Sequence, residues 1–480
     1  MKIFFAILAA TFFVLEAEST PIVRGVAPNR ATPGESITIR VVVENIPSLV
    51  TEDQITIGEG LRVLSIEKES FQNRLDRRLL FLQLEISIDA SAEIGKRNVI
   101  VAGSSVSSAS GFYVTEAPET TFHTFKQITS DLIPLHLLSE NLDTDAFDEL
   151  AAVYLSPFAD GFVDVIHPFQ NTSQRIYSQS EGHLVSAREA ALADQNGDGF
   201  KDLSILNWLQ FDVLGGVLVR HQNKGDGTFQ SVSDRQSRIA DLFITSGNFD
   251  RDRFEDIALI GYLGEILVIS GTGKQTRVST VPKNFRGEVH GIVASDVNGD
   301  GQDDLVVAVD NEADDKKEFR IAISNRDGSF QRVKRISVPY AEEDPWVHAI
   351  SDLNNDGNKE FVFTNDHHLS LIVATYLNGT LTNYRSFRVE CNALAVEDID
   401  SDGDTDIACV GNDIDQAALF RTSGSSFLPR ITLDTPKYPV SIAIGDWNSD
   451  RKFDLAIGFG KLYFPHLPNE RNGLTFLLQN

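Results

Sequence analysis

The chain has 480 residues, 42% hydrophobic and 23% charged, and 42 Lys and Arg stand against 69 Asp and Glu for a net charge of −27. Such a balance suits folded globular structure of two to four domains and excludes a long disordered chain. The acidic surface argues against nucleic acid or anionic lipid as a partner, and two cysteines exclude a disulfide-dense scaffold or a Cys-based zinc or iron–sulfur centre.

Lys2 precedes an apolar run from Ile3 to Leu15, and Ala17 and Ser19 follow. This is the layout of a secretory signal over 1–19, too short to span a bilayer, with cleavage near Ala17 or Ser19. Residues 20–115 read as a β-sandwich: a strand near Pro21–Pro28, a long alternating strand through Ile37–Val43, then Asp53–Ile57, Leu61–Glu67, Leu79–Ile88, Arg97–Ala102 and Phe112–Thr115. The strand pattern and a Pro-x-x-x-x-x-Gly turn resemble the immunoglobulin-like IPT/TIG modules of bacterial surface proteins. Residues 116–120 form a short linker before the last block, 121–480.

In that block one nine-residue string recurs seven times at intervals of 53, 54, 48, 56, 46 and 48 residues. Taken at positions 1, 3, 5, 7 and 9, the first copy carries Asn141, Asp143, Asp145, Phe147 and Glu149, and the second Asp194, Asn196, Asp198, Phe200 and Asp202. The third carries Asn248, Asp250, Asp252, Phe254 and Asp256, and the fourth Asp296, Asn298, Asp300, Gln302 and Asp304. Asp352, Asn354, Asp356, Asn358 and Glu360 make the fifth; Asp398, Asp400, Asp402, Asp404 and Asp406 the sixth; Asp446, Asn448, Asp450, Lys452 and Asp454 the seventh. Each copy lies between β-branched runs and is followed by a hairpin, with turns at Gly225-Asp-Gly, Asn325-Arg-Asp-Gly and Asn378-Gly. Four strands in about 50 residues is the size of a propeller blade. The last unit has only three strands, and Thr121–Ile128 matches the expected fourth strand Ser329–Ile336 in residue type. One blade shared between the two ends would close the ring. The expected fold is therefore all-β: a seven-bladed β-propeller preceded by a small β-sandwich.

Acids or amides at positions 1, 3, 5 and 9 of one tight turn repel each other unless a cation sits among them. Hard oxygen donors favour Ca²⁺, up to seven ions, with the backbone carbonyl at position 7 as a further donor. Gly199, Gly301, Gly357 and Gly403 at position 6 permit the sharp turn, whereas Ala146, Arg253 and Arg451 stand there in the first, third and seventh copies. On these motifs residues 119–480 resemble the FG-GAP/VCBS repeat family, the seven-bladed propeller also found in integrin α-subunit heads. The resemblance implies that each loop joins the first two strands of a blade and binds Ca²⁺.

No HExxH, GxSxG or phosphate-binding loop occurs. His367-His368 reads as a polar turn or a ligand pair, and Cys391 and Cys409 as a disulfide or two buried thiols. Asn171 and Asn378 fit the glycosylation sequon, which at Asn378 coincides with a hairpin turn. The starts of the first strands, opposite the loops, carry Arg188, Asp241, His290, Trp346, His348, Asn392 and Tyr438. Of these His290, Trp346, His348 and Asn392 are candidates for partner binding, although Trp346 suits packing between blades equally well. The leading expectation is an exported, secreted or cell-surface (or periplasmic) calcium-binding module that adheres to a glycan or surface protein. A secreted polysaccharide lyase or hydrolase, and a structural scaffold of a surface assembly, are the alternatives.

Overall fold

The structure, a computed structural model, describes residues 20–46, 49–74, 77–106, 108–115, 121–155, 162–177, 185–209, 216–236, 241–261, 264–271, 275–279, 288–311, 316–331, 333–338, 345–365, 368–412, 414–461 and 472–480. The expected leader 1–19, the linker 116–120 and His367 lie outside the described residues, as do the side chains of Arg188 and Asp241.

Seven four-stranded antiparallel sheets form the blades. Their first strands are Ile133–Glu140, Val185–Ala193, Asp241–Gly247, Val289–Ser295, Trp346–Ser351, Ala393–Glu397 and Pro439–Gly445. Each packs against the first strands of the blades on either side, so the seven close into an inner ring. Three of the second strands, Asp256–Gly261, Asp406–Gly411 and Asp454–Phe459, are buried at every residue. They are covered on both faces by neighbouring blades, which is why they read as unbroken apolar runs rather than alternating ones.

The seventh sheet runs in the order Phe122–Ser130, Asn472–Gln479, Asp454–Phe459, Pro439–Gly445. The N-terminal strand of the ring thus pairs with the last strand of the chain, from Phe122 opposite Gln479 to Ser130 opposite Asn472. The fourth strand of blade four differs from expectation: it is Lys334–Ser337, and only an isolated bridge, Ser324 with Phe330, ties the tip of its hairpin.

The N-terminal sandwich has one sheet of Ile22–Ala27, Ser36–Glu44, Arg77–Ile88 and Leu61–Arg74, and a second of Arg30–Ala31, Gly111–Val114 and Gly95–Asn98. Ile39, Val41, Leu82, Leu84, Val99 and Phe112 fill the space between. The expected strand Asp53–Ile57 is instead a 3-10 turn, Glu52–Gln54, followed by the two-residue strand Ile55–Thr56. Thr51 and Gln54 cap that turn reciprocally, which competes with extension. The sandwich rests on blade six. The Thr432 N–H donates to Asn29 Oδ1 (2.9 Å), Asn29 Nδ2 to the Arg430 carbonyl (2.9 Å), and Arg40 pairs with Asp434 (2.9 Å). A Cβ at Gly25 would stand 2.1 Å from Gln416 Oε1, so a larger residue there would have to displace the end of the Gln416 side chain. Among the described residues no helix is long and apolar enough to cross a membrane.

Candidate metal centres and the opposite face

All seven repeated strings fall between the first and second strands of a blade. The apolar or amide side chain at position 2 anchors each loop in the core; Leu142, Phe249, Leu353, Ile399 and Trp447 are at most 1% exposed. The position 5 carboxylate closes the turn. In every loop its Oδ1 accepts the N–H of position 7, at 2.7 to 3.0 Å.

Position 1 divides the loops in two. Where it is Asp, Oδ2 accepts the N–H of position 6 (Gly199, Gly301, Gly357, Gly403 and Arg451) at 2.7 to 2.9 Å. That residue then adopts a left-handed conformation, including Arg451 at φ 68°. Where it is Asn, the amide nitrogen donates to the position 5 carbonyl, Asn141 to Asp145 and Asn248 to Asp252. Ala146 and Arg253 are then not left-handed. The seventh loop thus keeps the glycine-type turn without glycine, and the first and third do not.

Position 9 opens the second strand and is buried, 0 to 6% exposed in all seven blades. Where it is Asp, one oxygen accepts a backbone N–H of the following hairpin, as Asp202 does from Asn223 and Asp304 from Ser324 (both 2.9 Å). In most loops the other reaches back to the position 2 N–H, as Asp406 does to Ile399 (3.0 Å). Burial, reinforced by the acids at positions 1, 3 and 5, outweighs those donors. It pushes Glu149 up to about 8, Asp304, Asp406 and Asp454 to about 7, Asp202 and Asp256 to about 6, and Glu360 upward. Glu149 Oε1, Asp400 Oδ1 and Asp454 Oδ2 are buried with no hydrogen-bond partner. Orphaned carboxylate oxygens in an acid-rich loop fit a cation, and all seven loops offer carboxylate or amide oxygens at positions 1, 3, 5 and 9. Asp398, Asp400 and Asp406 bring ligand atoms within 4.8 Å of one another, and Arg421 Nη1 stands 3.3 Å from Asp400 Oδ2 in the same loop.

Two features escaped the sequence reading. At position 8, acids latch one blade to the next: Asp148 accepts the Asp446 N–H (2.8 Å), Glu255 that of Asp194 (2.7 Å) and Asp303 that of Asn248 (2.9 Å). The other is His167, whose Nδ1 lies 3.0 Å from Glu149 Oε1.

On the opposite face the first strands carry a one-residue register shift in six blades. His290 and His348 sit at two of these bulges, which re-aim side chains. The His290, Phe243 and His368 rings stand 5.1, 6.3 and 5.1 Å from Trp346, and His348 lies 6.2 Å from His368. Thr364 Oγ1 joins His348 Nε2 (2.9 Å) to His368 Nδ1 (2.8 Å). Burial, with His368 beside it, holds the His348 imidazole down to about 3. Three of the four partner-binding candidates therefore meet, with His368 as an unforeseen member, and Trp346 packs between blades while staying partly exposed. Asn392 does not join them: its Oδ1 accepts the Asn412 N–H and its own N–H reaches the Val410 carbonyl. That turn sets Cys391 beside Cys409, and the two form a disulfide. Tyr438 is buried and donates its N–H to Asp415 Oδ1 (2.8 Å).

A family description, the FG-GAP-like repeat, matches residues 296–363 and 398–457, the span of loops four to seven. The chain carries FG-GAP-like repeats. No curated protein matches it. Similar solved structures include a protein from Lactobacillus plantarum (13% identity over 64% of this chain and 86% of that one, TM-score 0.43). The periplasmic gluconolactonase PpgL of Pseudomonas aeruginosa gives 12% identity over 72% and 94%, with TM-score 0.40. The Dos1 propeller gives 9% over 96% and 93%, with TM-score 0.41. The three loops outside the FG-GAP-like match, in blades one to three, include both with Asn at position 1.

Proposed function

We propose that this chain is an exported FG-GAP-type propeller whose loops hold Ca²⁺ and whose opposite face binds a glycan or a surface protein. The observation that carries the binding face is the half-buried Trp346 among His290, His348 and His368: an aromatic plane with polar ring edges suits a sugar ring or a protein side chain. Positions 1, 3, 5 and 9 supply carboxylate and amide oxygens and position 7 a carbonyl. A bound Ca²⁺ neutralises that charge and ties the first two strands of a blade together. We read the N-terminal sandwich as an IPT/TIG-type module. The Cys391–Cys409 disulfide suits an oxidising compartment.

A glycan and surface-protein screen with and without Ca²⁺ tests this reading. Saturable binding is expected, lost in a Trp346→Ala variant that still folds by circular dichroism; binding unaffected by that change removes the face assignment. One site at free Ca²⁺ of about 100 times its Kd adds about 2.7 kcal/mol of stability. Chelation therefore lowers the melting temperature strongly, and Mg²⁺ restores little because it demands tighter octahedral geometry. Identical melting curves in Ca²⁺ and chelator end the metal reading.

A further inference from the structure

We propose that the first loop is a mixed nitrogen–oxygen site, built from Asp143, Glu149 and His167, that takes a zinc-type divalent cation rather than Ca²⁺. The proposal rests on the reading of the loops as cation sites, and concerns which cation blade one selects.

Directly opposed residues of an antiparallel pair face the same side of the sheet. Leu150 pairs with Ile166, so the next step of the register sets His167 opposite Glu149. The equivalent residue is Gln222 in blade two, opposite Asp202, and Arg421 in blade six, opposite Asp406. Among the seven blades only blade one puts an imidazole there. The Glu149 side chain is fully buried; Oε2 accepts the Leu142 N–H (2.7 Å), while Oε1 has no hydrogen bond. Oε1 faces His167 Nδ1 at 3.0 Å, and that nitrogen also lacks a hydrogen bond. Two donors on a tetrahedral cation, each bound at about 2.0 to 2.1 Å, stand about 3.3 Å apart. Asp143 completes the group, with one ligand atom from each residue inside 4.8 Å of the others.

The rest of the loop is committed elsewhere. Asn141 spends its amide nitrogen on the Asp145 carbonyl, and Asp145 accepts from the Phe147 N–H and from Gln170 Nε2 (2.7 Å). Ca²⁺ asks for six to eight oxygens. One imidazole and two carboxylates, with a position left for water, match zinc and rank above Ca²⁺ for borderline cations.

The test uses the whole exported chain, stripped with chelator, reloaded with millimolar Ca²⁺ and then titrated with Zn²⁺ or Co²⁺. One equivalent of Zn²⁺ is expected to be retained against the Ca²⁺ excess, and Co²⁺ to give the visible absorption of a four-coordinate nitrogen–oxygen site. His167→Gln, which installs the side chain blade two already carries at this register, should weaken Zn²⁺ binding at least tenfold with the Ca²⁺ count and melting temperature kept. Asp143→Asn should weaken it likewise, and His368→Gln should not. The proposal is overturned if the wild type retains no Zn²⁺, or if Zn²⁺ persists in both loop variants. It is also overturned if His167→Gln gains a Ca²⁺, since His167 would then be a stand-in cation. Ca²⁺ counted in the same samples reports the other six loops separately, so failure of the calcium reading and failure of this one are distinguishable.

Discussion

At the scale of single residues, one atom of position 1 sets the shape of a loop. An aspartate has a second oxygen for the position 6 N–H and holds that residue left-handed; an asparagine presents an N–H₂ there and turns to a carbonyl instead. Left-handed backbone costs a non-glycine residue roughly 1–2 kcal/mol. Arg451→Gly at φ 68° should therefore be more favourable than Arg253→Gly by about that amount, as read from paired chemical denaturation curves; equal effects would mean that the two turns do not differ. Neighbouring acids also separate by role. Asp300→Ala should remove close to one bound Ca²⁺, because Asp300 lies inside the fourth loop. Asp303→Ala should leave the metal count unchanged but lower stability by about 1–2 kcal/mol, because its carboxylate accepts the Asn248 N–H of the blade before it. Metal analysis beside thermal melts separates the two effects.

At the scale of elements, the loops were legible because their information is local: four oxygen donors within nine residues, bounded by β-branched runs. What crosses between elements was not. His167 meets Glu149 only through the register of two strands, and Asp148, Glu255 and Asp303 matter only once the neighbouring blade is in place. The cysteines show the same limit. Strand register sets Leu394, not Cys391, opposite Cys409, which argues against a bridge when pairing alone is considered. Cys391 lies before that strand, and the Asn392 turn carries it to a Cα–Cα distance of 5.4 Å from Cys409. The disulfide spans 18 residues around the sixth loop, and in the chain-entropy account a closed loop of this size contributes about 3 kcal/mol. Reduction should lower stability by a similar amount and raise hydrogen exchange first around Ile399 and Ala408; uniform exchange would place the effect elsewhere.

At the scale of the molecule, blade number and ring closure were legible because the repeat counts its own units and leaves one a strand short. The contact of the sandwich with blade six was not, since Gly25, Asn29 and Arg40 carry no mark of their partners. Deleting residues 119–128 should expose the edge of Asn472–Gln479 and yield an open, aggregating ring in light scattering. A deletion variant that stays monomeric with wild-type melting would show that the pairing adds nothing to closure.

The same pairing orders events in time. Thr121 and Asn480, 359 residues apart, are hydrogen-bonded neighbours, so a chain emerging N-terminus first carries the outer strand of its last blade throughout synthesis with no partner. Inner blades form from contiguous sequence as they appear, yet the ring locks only when the final strand arrives. Among the described residues that closure is the most non-local strand pairing of the fold, and non-local pairing is slow. A chain lacking Asn472–Gln479 would then be not a slightly smaller protein but an open one, with a bare strand edge on show to proteases and chaperones.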